Sequence, residues 1–111
     1  MDVDLWRIIN ASIRECLEEY DPSHTLECLH GLLEKYGDDG MIHYALGLEY
    51  EARFDFERAL YHYNRAYELF PLRLWKERAL EAIRRVQSKI MERSRIELSE
   101  TQALEHRNTK Q

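Results

Sequence analysis

The sequence predicts an all-α protein in which antiparallel helical hairpins stack as a short α-solenoid of five helices. Three observations predict it. Breakers are scarce, with 4 Gly and 2 Pro in 111 residues, so long stretches hold nothing that interrupts a helix. Apolar residues recur at three- and four-residue spacing, the period of a helix with one buried face. The pattern of the first half returns after a shift of 34 residues, a period that marks stacked helix pairs.

Each element has its own signal. Asp4 is placed to cap a first helix, whose stripe is Leu5, Ile8, Ile9, Ile13, Cys16 and Leu17 and which ends near Tyr20. Asp21-Pro22-Ser23 starts a second, with proline in its first turn. It carries Leu26, Leu29, Leu32, Leu33 and Tyr36 on one face, and Gly37 is its left-handed terminator. Asp38-Asp39-Gly40 connects to a third helix from about Met41 to Arg53. Phe54-Asp55 is a tight turn. A fourth helix runs from about Phe56 to Phe70, where Pro71 stops it. A fifth begins near Leu72 and meets no later breaker. Leu80, Ile83, Val86 and Ile90 form its stripe, which loses phase after Ser94. The domain is therefore expected over 1–94. Residues 95–111 form a helix extension or flexible tail, its last stretch TQALEHRNTKQ frayed.

Composition narrows the class. The net charge of −5 hides an asymmetry: residues 1–70 hold 15 acidic against 6 basic side chains, and residues 71–111 hold 6 against 10. A basic second half can attract nucleic acid or an anionic surface, or it can be a solvated face interspersed with Glu77, Glu81 and Glu92. No stretch is apolar enough to span a membrane, and no secretory h-region opens the chain. Two cysteines, Cys16 and Cys28, make no disulfide framework. They read as free thiols filling space in a cytoplasmic protein.

The repeat is detailed. Under the 34-residue shift Tyr20-Asp21 falls on Phe54-Asp55, Leu26 on Leu60, Leu29 on Tyr63, Leu32-Leu33 on Ala66-Tyr67, and Gly37 on Pro71. Residues 40–71 carry Leu46-Gly47, Tyr50, Ala59, Tyr63, Ala66 and Pro71 at set intervals. With these the segment resembles a tetratricopeptide repeat. His43 stands where that family usually has tryptophan. Residues 6–39 form a second such unit with Ile13, Thr25 and Leu32 at the small positions, so its helices should sit further apart or cross differently. A capping helix follows from about residue 72. Gly47 costs its helix about 1 kcal/mol, and the resemblance gives a reason: it marks the closest approach of two helices, with Gly47 facing Ala59 and enclosed by Tyr50, Tyr63 and Ala66.

The resemblance implies a concave face lined by the first helix of each pair, where relatives bind an extended peptide or a helix. Carried over by position, that face presents Arg7, Asn10 and Arg14, then Met41, Tyr44, Leu48 and Glu51, then Trp75, Arg78, Ala82 and Arg85. An apolar strip with arginines at both ends suits a protein ligand with apolar anchors and acidic flanks. The family's lysine-and-asparagine clamp for chaperone C-termini is missing, since Tyr44, Ala45 and Leu48 occupy its places. No nucleophile motif, phosphate-cradling glycine loop or zinc signature occurs. His24 and Cys28 share a helix face without further ligands. The chain reads as a non-catalytic interaction module that needs no cofactor or metal. Two other roles stay open: homodimerisation through the fifth helix, and anion or nucleic-acid binding through its basic residues.

Overall fold

The computed structural model describes residues 2–19 and 21–108, with side chains for all of these except Glu19 and 106–108. Five helices follow one another: α1 (Val3–Glu19), α2 (Pro22–Tyr36), α3 (Gly40–Ala52), α4 (Phe56–Leu69) and α5 (Arg73–Asn108). The 34-residue shift lays the span of α2 on that of α4. Successive helices pack as hairpins, α1 on α2, α3 on α4 and α4 on α5, with α2 and α1 also reaching α3. No strand occurs among the described residues, and no helix there is long and apolar enough to cross a membrane.

The ends of the helices follow from their sequence. The Asp21 carboxylate accepts the Ser23 backbone N–H at 3.0 Å, with Pro22 behind it. Gly37 closes α2 at φ 82°, donating to the Leu33 carbonyl. Asp39 accepts from Met41 and Ile42, and Asp55 from Arg58. Each side chain satisfies N–H groups the first turn leaves unpaired. α1 is capped by Asp2, which accepts from Asp4 and Leu5, so Asp4 lies inside the helix rather than before it. Tyr20, the expected end of α1, lies outside the described residues.

The core is unequal between the hairpins. In α1 only Ile9, Ile13 and Cys16 are buried, while Leu5, Ile8 and Leu17 remain substantially exposed. The second hairpin and α5 enclose Leu46, Ala59, Tyr63, Ala66, Ala79, Ala82 and Val86 completely. Glycine explains the tighter packing. A Cβ built on Gly47 would stand 2.5 Å from Cε1 of Tyr63. The close approach is therefore made to the Tyr63 ring, where the sequence pointed to Ala59.

One expectation is overturned. Cys16 and Cys28 are joined in a disulfide, S–S 2.06 Å, which ties α1 to α2. Two cysteines alone carry no signal of a bridge; the pairing of α1 with α2 places these two facing positions 5.6 Å apart at Cα. Of the two alternatives for residues 95–111, α5 takes the helix extension and runs through Asn108. Local bonds hold it: Arg95 pairs with Glu92 at 2.6 Å, and Thr101 Oγ1 donates to the Glu97 carbonyl. Residues 109–111 of the expected tail lie outside the described residues.

Candidate functional site

Three helices converge on one open groove of about 620 Å³. α1 supplies Trp6, Arg7, Asn10, Ile13, Arg14 and Leu17, α3 supplies Met41, and α5 supplies Trp75. The helical stripe 6, 10, 13, 17 explains the α1 contribution. The groove runs into a cleft of about 580 Å³ shared with Trp6, Met41 and Trp75 and bounded by Val3, Leu5, Phe70 and Leu72. Both tryptophans of the chain thus stand in one continuous apolar trough. Trp75 is braced by Phe70, ring centroids 5.8 Å apart, and the Arg78 guanidinium lies 4.8 Å over its ring.

Of the residues assigned to the groove by sequence, the structure brings together Arg7, Asn10, Arg14, Met41 and Trp75, with Arg78 on the rim. Leu48 is exposed on α3 away from this lining. Tyr44 is half-buried in the core, 5.5 Å from the Tyr63 ring and 6.2 Å from Phe70. Glu51 and Arg85 are corrections of another kind. The buried Glu51 carboxylate takes both Arg85 nitrogens at 2.7 Å, Lys89 Nζ at 2.7 Å and the Tyr63 hydroxyl at 2.7 Å. The Arg85 guanidinium, aided by Lys89 and Tyr63, holds Glu51 down to about 2 against the opposing effect of burial. The same pair raises Arg85, and burial followed by the hydrogen bond to Glu51 raises the Tyr63 phenol. A carboxylate and a guanidinium so satisfied have little left to offer a ligand.

The remaining basic residues divide in two. Arg93 pairs with Glu57, Arg95 with Glu92 and Arg73 with Glu77. None of the ion pairs among the described residues takes Arg7, Arg14 or Arg78. Positive charge that is not matched among the described residues therefore borders the groove.

Trp6 and a histidine cluster escaped the sequence reading. Trp6 lies one turn before Asn10 on the same face of α1, which was the available signal. On the opposite side of the second hairpin His43 and His62 are buried, their Nδ1 atoms 3.0 Å apart. His43 Nε2 donates to Asp38 at 2.9 Å, since a carboxylate only accepts, so His43 Nδ1 accepts from His62. Arg65 holds Asp38 from the other side at 2.9 Å. His62 stacks on Tyr50, and His30 Nε2 meets the Tyr50 hydroxyl at 2.9 Å. Burial first, then the neighbouring His43 and His30, lowers His62 to about 4. The imidazoles replace the tryptophan of the resembled pattern with a hydrogen-bonded relay. Among the described residues no group of three His, Cys, Asp or Glu is arranged to hold a metal ion.

The fold and groove together define a class: stacked helical hairpins with an open apolar trough rimmed by arginine. Compared with known proteins, the chain matches no protein-family profile, no curated sequence and no solved structure.

Proposed function

We propose that the chain is a non-catalytic protein-interaction module, a two-repeat tetratricopeptide-like adaptor or scaffold. It binds an amphipathic acidic helix or peptide in its concave groove. One observation carries this reading: Trp6, Met41 and Trp75 form an apolar floor whose bordering cations, Arg7, Arg14 and Arg78, enter no ion pair among the described residues. Aromatic side chains supply large contact area at low entropic cost, and arginine takes carboxylates in bidentate pairs. The tight second hairpin, with Gly47 against Tyr63, supports the resemblance to that family.

Binding of nucleic acid or anionic surfaces through α5 is supported less, because Arg85, Lys89, Arg93 and Arg95 are each engaged by glutamate. A reducing cytoplasm, the setting the sequence suggested, requires that the Cys16–Cys28 bond open there or be protected from reductants. The test is fluorescence anisotropy with a labelled amphipathic helical peptide bearing leucine on one face and glutamate on the flanks. The wild type binds it, and a lysine-for-glutamate version of the probe is rejected. An Arg7→Glu/Arg78→Glu variant loses at least tenfold in affinity, about 1.4 kcal/mol. Equal binding of both probes refutes the reading.

A further inference from the structure

α5 offers the groove an occupant. Its first half packs against α4, burying Ala79, Ala82, Ile83 and Val86. Arg93 is its last side chain paired to α4, through Glu57, and Ile96 and Glu97 still border Phe54 and Phe56; beyond them α5 overhangs the body, and from Ser94 to Glu105 every side chain is exposed. The overhang accounts for the elongated shape of the molecule, 69 Å in its long dimension. Residues 96–105, IELSETQALE, hold Glu97, Glu100 and Glu105 with no lysine or arginine, alongside Ile96, Leu98 and Leu104. That is an exposed, acidic, apolar helix: the chemistry the groove suits.

The overhang cannot reach the groove of its own chain. Arg78 and Glu100 lie on one unbroken helix, 22 residues apart in sequence, which places them about 33 Å apart along its axis. We infer that the overhang of α5 from a second copy of this chain occupies the concave groove, and that two copies pair reciprocally with their α5 helices antiparallel about a two-fold axis. This rests on the reading of the groove given above. The register follows from a stripe running the length of α5. Trp75, Arg78, Ala82, Arg85 and Lys89 recur at alternating three- and four-residue steps, and Ile96 and Ala103 follow at steps of seven, with Glu100 beside them. In an antiparallel pair centred on Lys89, Trp75 meets Ala103 of the second copy and Arg78 meets its Glu100. The two-fold makes each contact twice. Arg85, Lys89 and Arg93 approach one another near the axis, where Arg85 and Lys89 share the Glu51 carboxylate and Arg93 takes that of Glu57, which offsets most of their charge. The charge segregation matches the pairing: among the described residues no ion pair takes Arg78 near the start of α5, and none takes Glu97, Glu100 or Glu105 near its end.

The experiment is sedimentation equilibrium on the full chain over a wide concentration range, for wild type, Arg78→Glu, Glu100→Arg and the double swap. Both single positions are exposed, so each variant should keep the fold, which circular dichroism checks. The pairing predicts a concentration-dependent dimer. Each reversal weakens it roughly tenfold or more, and the double swap restores it to within about threefold of wild type. A wild type that is monomeric throughout, or a dimer indifferent to both reversals, overturns the proposal. The acidic helical probe is titrated in parallel. A monomer that binds the probe overturns the self-pairing alone, and a monomer that ignores it overturns the groove reading as well.

Discussion

Replacing Gly47 with alanine should destabilise the protein, although alanine is the better helix former. The methyl group would stand 2.5 Å from Cε1 and 2.6 Å from Cδ1 of Tyr63. Carbon atoms at rest keep about 3.5–4.0 Å, so the ring must withdraw by about 1 Å. It has nowhere easy to go. Tyr63 is fully buried, its hydroxyl is bonded to Glu51 at 2.7 Å, and Tyr44 lies 5.5 Å away centroid to centroid. Overpacking of this kind costs about 1–3 kcal/mol, and disturbing a hydrogen bond to a charged group about 1.5–3 kcal/mol. The propensity gain returns about 1 kcal/mol. The net expectation is a loss of about 2 kcal/mol, a fall in Tm of about 8 °C, measured by thermal and urea unfolding at fixed redox state. Gly47→Leu should cost more. A companion Tyr63→Leu substitution should remove most of the added penalty of alanine, because the clash is with the ring. An alanine variant as stable as wild type, or more so, would refute the assignment of Gly47 as the point of closest approach.

Acid should unfold the protein in two windows. His62 is held at about 4 in the fold against 6.5 free. The unfolded chain therefore binds the extra proton first, and stability falls as pH drops from 6.5 to 4, by at most about 3 kcal/mol. Urea midpoints across this range should show that slope, and His62→Phe should flatten it. Glu51 has the depressed value of a paired carboxylate. Its contribution is present above pH 4.5 and lost as pH falls toward about 2, so Glu51→Gln should lower stability at neutral pH and weaken the lower window. The Cys16–Cys28 bond closes a loop with sequence separation 12, which stabilises by about 3 kcal/mol in the loop-entropy account. Reduction, or Cys16→Ser/Cys28→Ser, should speed hydrogen exchange in α1 well before α4, because α1 buries only three side chains.

Much of this fold is legible in the sequence because its signals are local. Asp21-Pro22, Gly37, Asp39 and Pro71 act through the backbone within one turn, and helix boundaries follow from them. The groove is half legible. Helical spacing puts Arg7, Asn10, Arg14, Met41 and Trp75 on one side, but spacing does not disclose which polar residues find partners on other helices. Glu51 and Arg85 lie 34 residues apart in sequence, one repeat, and only the stacking of hairpins makes them an ion pair. Tyr44 likewise looks like a surface aromatic until Phe70 and Tyr63 close on it. The disulfide and the His43–His62 relay are interhelical contacts of the same kind. The long α5 is a different case, because its apolar phase breaks at Ser94 while its helix-forming residues continue. Burial and helicity part company there.

The most direct test of the groove is the pair of indole N–H signals in an NMR titration with the acidic helical probe. Trp6 and Trp75 are the two tryptophans of the chain, and both line the trough. The account predicts that both signals shift together and saturably, while amides around His43 and His62 stay in place. Indole signals that do not move, with shifts confined to Arg84, Lys89 and Arg93 on α5, would contradict it.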